Sequence, residues 1–146
     1  MHKLKILFLC TGNSCRSQMA EGWGRHLYPE RYEFFSAGIE KHGLNPLAVR
    51  VMAETGVDIS THHSKLLSEL ETTAFDYVIT VCDHAHEQCP IFPGKAITLH
   101  HQFPDPPRLA QTATSVEEAL AHYRAVRDLI QKYLVSLPTA LSSQDP

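Results

Sequence analysis

Residues 7–23 read LFLCTGNSCRSQMAEGW, an apolar run that ends in Cys10, passes through a loop of small polar residues and closes with Cys15, Arg16 and Ser17. Leu4 to Leu9 (LKILFL) is short and nearly all apolar, as a strand buried on both faces must be. From residue 17 to about 27 the spacing of Ala20, Trp23 and Leu27 predicts a helix. A strand that turns into a helix through such a loop can aim successive backbone N–H groups at one point, and the helix adds its own free N–H groups and positive dipole end. The segment therefore predicts a nest for a tetrahedral oxyanion. Thr11, Gly12, Asn13, Ser14 and Cys15 would line it, with Gly12 and Asn13 taking left-handed conformations. Arg16 can clamp two oxygens at once. The same field favours a thiolate at Cys10: a free thiol near pKa 8.5 falls to roughly 3.5–7.5 beside a helix N-terminus and a cation. Ser17 could donate a further hydrogen bond to that sulfur.

The rest of the chain alternates strand and helix. Strands are expected at 32–36, 75–81 and 95–99, and a helix from Asn45-Pro46 to the stop at Gly56. A short helix is expected at 64–70. Three prolines predict loop across 100–114. A long helix is expected from Ser115, capped with Glu118, to about 137, with Val116, Leu120, Tyr123, Val126, Ile130, Tyr133 and Leu134 as its apolar stripe. Residues 138–146 read as a flexible tail after a single domain at 1–137. The fold class expected is α/β: four parallel strands with right-handed crossovers and helices on both faces. In such sheets ligands bind beyond the carboxyl ends of the strands, where Cys10, Cys82 and the segment containing Asp105 would gather.

Composition narrows the function. The 146 residues are 43% hydrophobic with a formal net charge of −3 and no run of like charges, so there is no footprint for nucleic acid. No stretch approaches the roughly 18 apolar residues of a membrane span, and Leu4 to Leu9 is too short and wrongly flanked for a signal peptide. A cytoplasmic monomer is the expectation. Four cysteines, Cys10, Cys15, Cys82 and Cys89, then read as thiols used in chemistry. Cys82 and Cys89 could close an eight-residue loop. A zinc site from Cys82, His84, His86 and Cys89 has no second ligand cluster to support it, and no metal is expected.

CTGNSCRS resembles the oxyanion loop of the low-molecular-weight protein tyrosine phosphatases. CTGNSCRSQMAEGW, with SAG at 36–38 and NPLA at 45–48, resembles the arsenate reductases built on that fold. The resemblance implies that Cys10 attacks arsenate while Asp105, in HQFPDPP, protonates the departing oxygen. It implies that Cys82 then attacks Cys10, forming a Cys10–Cys82 disulfide and releasing arsenite, and that Cys89 attacks Cys82 to leave a Cys82–Cys89 disulfide. The segment 82–93 would move to carry that bond outward. The resemblance implies that no cofactor is bound and that reduced thioredoxin supplies the electrons, with glutathione and glutaredoxin as the other donor known among relatives. Cys15 has no part in the relay.

Two alternatives stand beside this reading. One is a phosphatase, disfavoured because Pro107 stands where the phosphatases carry an aromatic residue after Asp-Pro. The other is an oxyanion or redox sensor without turnover. Some relatives hold potassium through positions corresponding to Asn13, Glu21, Ser36 and an acidic residue at 65. Here Lys65 stands at the last of these, which predicts no potassium site and a Lys65–Glu21 contact in its place.

Overall fold

The computed structural model describes residues 3–70, 74–82 and 96–142. Four strands, β1 (Leu4–Cys10), β2 (Tyr32–Gly38), β3 (Tyr77–Thr80) and β4 (Ile97–His100), pair in parallel in the order β2-β1-β3-β4. In β1, Ile6, Leu7, Phe8 and Leu9 are fully buried, which is why this strand carries no alternation of polar and apolar residues. The edge strand β4 alternates instead. The chain moves outward from β1 to β2, then returns past β1 to β3. The direction therefore reverses between β1 and β3, and at such a switch point a crevice opens beyond the strand ends. Cys10 is the last residue of β1, and Cys82 lies two residues beyond β3.

Helix α1 (Arg16–Leu27) crosses from β1 to β2 and is buried continuously from Ser17 to Gly24, against β1, β2 and the long helix near the C-terminus. α2 (Pro46–Ala53) begins at Asn45, whose side chain accepts from the N–H groups of Leu47 and Ala48. The segment 64–70 yields only a short 3-10 turn at Leu67–Glu69. α4 (Val116–Val135), which follows a short helix α3 (Pro106–Leu109), buries Leu120, Tyr123, Val126, Ile130 and Leu134. Val116, counted in the expected stripe, is 58% exposed because it sits at the helix mouth. Ser115 caps Glu118 N–H as expected, and the Glu118 carboxylate reaches back to Thr114.

Two further expectations fail for identifiable reasons. The proline-rich segment is not all loop: Pro106–Leu109 forms a short helix, α3, with Asp105 at its N-cap, followed by a 3-10 turn at Ala110–Thr112. Prolines fit the first helical turn because their fixed φ suits it and the missing N–H would have had no partner there. The expected flexible tail begins with a helix, α5 (Leu137–Ser142), because Leu137 and Leu141, one turn apart, both bury. Residues 143–146 lie outside the described residues.

α2 is tied to α4 by charge as well as packing. Glu54, just past α2, receives Arg124 Nη2 at 2.7 Å and Arg127 Nη1 at 2.9 Å. These guanidinium groups lower the Glu54 pKa from its ordinary 4.5 to about 2, chiefly through the Arg124 hydrogen bond. A carboxylate depressed by folding stabilises the native state above its unfolded pKa and loses that contribution as pH falls through the folded value. Glu54→Gln is therefore expected to flatten the loss of stability between pH 4.5 and about 2, read from denaturant midpoints across pH. An unchanged slope would contradict the pairing.

Candidate active site

The loop between β1 and α1 is built by pinning its carbonyls outward. Ile39, Glu40 and His42 donate their N–H groups to the carbonyls of Cys10, Thr11 and Gly12 at 3.1, 2.7 and 3.0 Å. Ser64 Oγ also donates to Gly12 O, Gln18 Nε2 to Asn13 O, and Asn45 N–H to Ser14 O. In a trans peptide the N–H points opposite to the C=O. Fixing the carbonyls of residues 10–14 away from the centre therefore turns the N–H groups of residues 11–15 toward it. That arrangement is an anion nest.

Asn13 adopts φ 48°, the one non-glycine residue with positive φ among the described residues. Its side chain holds that conformation: Nδ2 donates to Ser17 Oγ at 2.8 Å, and Oδ1 accepts from Gln18 Nε2 and Lys65 N–H. Gly12 does not share the left-handed conformation expected of it. A glycine is required there because the His42 ring packs onto it, and a Cβ would fall 2.2 Å from His42 Nδ1. The hydrogen bond shown for Ser17 is with Asn13, so Ser17 stiffens the loop instead of reaching the Cys10 sulfur.

A cavity of about 380 Å³ lies over this nest, lined by Cys10, Thr11, Gly12, Ser14, Cys15 and Arg16 and bordered by His42, Asn45, Asp105 and Pro107. Arg16 Nη1 donates to Phe103 O at 3.0 Å, and Nη2 lies 3.8 Å from Asp105 Oδ1. The guanidinium thus links the anion loop to the segment carrying the acid. Asp105 makes no capping hydrogen bond to its own helix, which leaves its carboxyl to the cavity.

Cys10 and Cys82 are both 3% exposed, and the Thr11 hydroxyl lies 3.1 Å from Cys82 Sγ. Cys10 and Cys15 are free thiols. The structure reverses the expected direction of the Cys10 pKa. Hydrogen bonding with Cys82 and burial push it well up, against the downward pull of Arg16 and the Thr11 N–H. Two buried thiols this close resist ionising together, so the pair titrates as a unit. Cys82→Ala is expected to lower the Cys10 pKa, seen as an alkylation rate whose pH midpoint moves down; an upward move would contradict the coupling. Burial, with the Asp105 charge, also raises the Cys15 pKa. Cys89, His84 and His86, and all of the expected moving segment 82–93 beyond Cys82, lie outside the described residues.

Beneath the nest, Glu21 is 3% exposed and meets Arg25 Nη2 at 3.0 Å, His62 Nε2 at 3.8 Å and Lys65 Nζ at 3.9 Å, so the expected Lys65–Glu21 contact is present. The Ser36 hydroxyl donates to the same carboxylate. With an ammonium beside Glu21, and Asn13 Oδ1 already accepting two hydrogen bonds, these residues do not fit a potassium ion. The roles of His42, Asn45, Gln18 and Ser64 around the loop are not legible in the sequence. The signal for Asn45 was its capping position; for the other three, spacing alone carries none.

Comparison with known proteins agrees with this geometry. The family model described as low molecular weight phosphotyrosine protein phosphatase matches residues 5–145. An arsenate reductase of Halalkalibacterium halodurans is 46% identical over 132 residues, covering 90% of this chain and 93% of that protein. A solved arsenate reductase in a phosphate-binding state superposes with a TM-score of 0.71 at 30% identity, covering 92% of this chain and 95% of the other. A tyrosine phosphatase of Erwinia amylovora, 22% identical, shares the fold with a TM-score of 0.74, over 95% of this chain and 93% of its own. The chain belongs to the low molecular weight phosphotyrosine protein phosphatase family, in the branch that its arsenate reductase relatives occupy.

Proposed function

We infer that this chain reduces arsenate to arsenite through its own cysteines. The observation that carries the reading is the second buried thiol, Cys82, held by Thr11 beside the nucleophile. Ester hydrolysis needs one thiolate and water; a neighbouring thiol serves electron transfer. Bound arsenate takes the proton of the Cys10 thiol, the thiolate formed beside Arg16 attacks arsenic(V) in the nest, and one arsenic–oxygen bond breaks as Asp105 gives its proton to the departing oxygen. Cys82 attacks the Cys10 sulfur. A sulfur–sulfur bond forms, the sulfur–arsenic bond breaks, and its electron pair stays on arsenic, which leaves as arsenite. Cys89 then attacks Cys82, expelling Cys10 as thiolate. The resulting Cys82–Cys89 disulfide takes two electrons from a dithiol donor, for which we propose reduced thioredoxin, with the chain acting as a monomer in the cytoplasm.

The phosphatase reading draws on the shared nest, and it is weakened by Pro107, which borders the cavity where the notional aryl group would need an aromatic neighbour. The test is arsenite formation by the purified chain with arsenate, thioredoxin, thioredoxin reductase and NADPH. The expected result is one arsenite per NADPH consumed. Absence of arsenite, together with phosphate-ester turnover that persists in Cys82→Ser, would replace this reading with the phosphatase. Faster turnover with glutathione and glutaredoxin would replace the donor.

A further inference from the structure

The relay leaves one wall of the cavity unexplained. The segment after β2 runs beside the anion loop, and its third N–H contact, from His42 to Gly12 O, sets the His42 side chain at the cavity border. Its ring lies directly on Gly12 and its Nε2 is 2.7 Å from Glu40 Oε2. The side chain is 52% exposed while also lining the cavity, so it stands at the rim between nest and solvent. Packing on Gly12 and the Glu40 carboxylate both favour this placement of the ring at the cavity.

Attack by Cys10 expels a group on the side away from the sulfur, into the cavity that Asp105 and His42 both line. For arsenate the group is a single oxygen. For a phosphate monoester it is an oxygen carrying a carbon skeleton, which must leave past the rim residues. We propose that His42, pinned by Glu40, is a specificity-determining residue that favours an inorganic tetrahedral oxyanion over a phosphate monoester. The proposal rests on the arsenate reading above and explains how a nest shared with phosphatases is restricted. Discrimination of this kind, by space at a pocket wall, is worth roughly 10–200-fold.

The test uses the full chain and two substrates, p-nitrophenyl phosphate and arsenate, with inhibition of ester hydrolysis by arsenate as an independent reading of oxyanion affinity. In His42→Ala, the ratio of kcat/KM for the ester to that for arsenate is expected to rise about tenfold, through a lower KM for the ester. Glu40→Ala, which frees the ring without removing it, is expected to shift the ratio in the same direction by less, and it carries the test if His42→Ala does not fold. A ratio that stays within about twofold of wild type, or falls, would overturn the proposal. If the wild type forms no arsenite, the arsenate reading fails. The wall is then judged from the ester KM against the arsenate inhibition constant.

Discussion

Replacing Arg16 by Lys is expected to lower kcat/KM for arsenate by about 10²–10³ while leaving the fold intact. The guanidinium holds two positions at once: Nη1 on Phe103 O at 3.0 Å, and Nη2 3.8 Å from Asp105. Facing the nest, the same planar fork can meet two oxygens of an oxyanion. An ammonium is a point charge on a flexible stem and cannot keep the Phe103 tether while presenting parallel donors. The chain's net charge of −3 offers no general attraction for a dianion, so the loss falls on this one cation. Initial rates over a range of arsenate concentrations check it. A decrease of less than about fivefold would mean that the backbone N–H groups alone grip the anion.

The second large effect comes from a residue without a side chain. Gly38 ends β2 opposite Cys10, and a Cβ there would fall 2.3 Å from Glu40 O and 2.9 Å from both Asn13 N and Thr11 O. All three are backbone atoms, so relief requires moving the segment that pins the loop carbonyls or moving the loop itself. Gly38→Ala is expected to destabilise the protein by about 1–3 kcal/mol. A displaced nest also misplaces its N–H groups, and errors near 1 Å reduce turnover by about 10². Thermal melts and arsenate turnover read the two effects. Wild-type turnover in a folded Gly38→Ala variant would show that the carbonyl pinning does not set the nest.

What could be read from the sequence follows from where each signal is local. LKILFL, the small-residue loop and Arg16 are consecutive, and a short near-unbroken apolar run ended by turn residues points to a buried strand. The position of Cys82 beyond β3 followed from strand alternation, and the sheet order brings it to Cys10. α3 stayed hidden because Pro106 and Pro107 read as helix breakers, although prolines suit a first turn. Ordering past residue 137 was present as the Leu137 and Leu141 pair, yet two residues make too short a pattern to weigh. The Cys10 pKa could not be read: Arg16 and the helix are visible in the sequence, whereas burial and the second thiol, which raise it, are tertiary. The same holds for His42, whose contact with Gly12 is set by pairing between segments some 30 residues apart.

The relay is tested most directly by giving Cys89→Ser a single addition of arsenate in the presence of thioredoxin and its reductase, then counting arsenite and mapping the disulfide by mass spectrometry. The expected result is one arsenite per chain and a covalent link between Cys10 and Cys82. Many arsenites per chain, or a stalled chain with no Cys10–Cys82 bond, would contradict it.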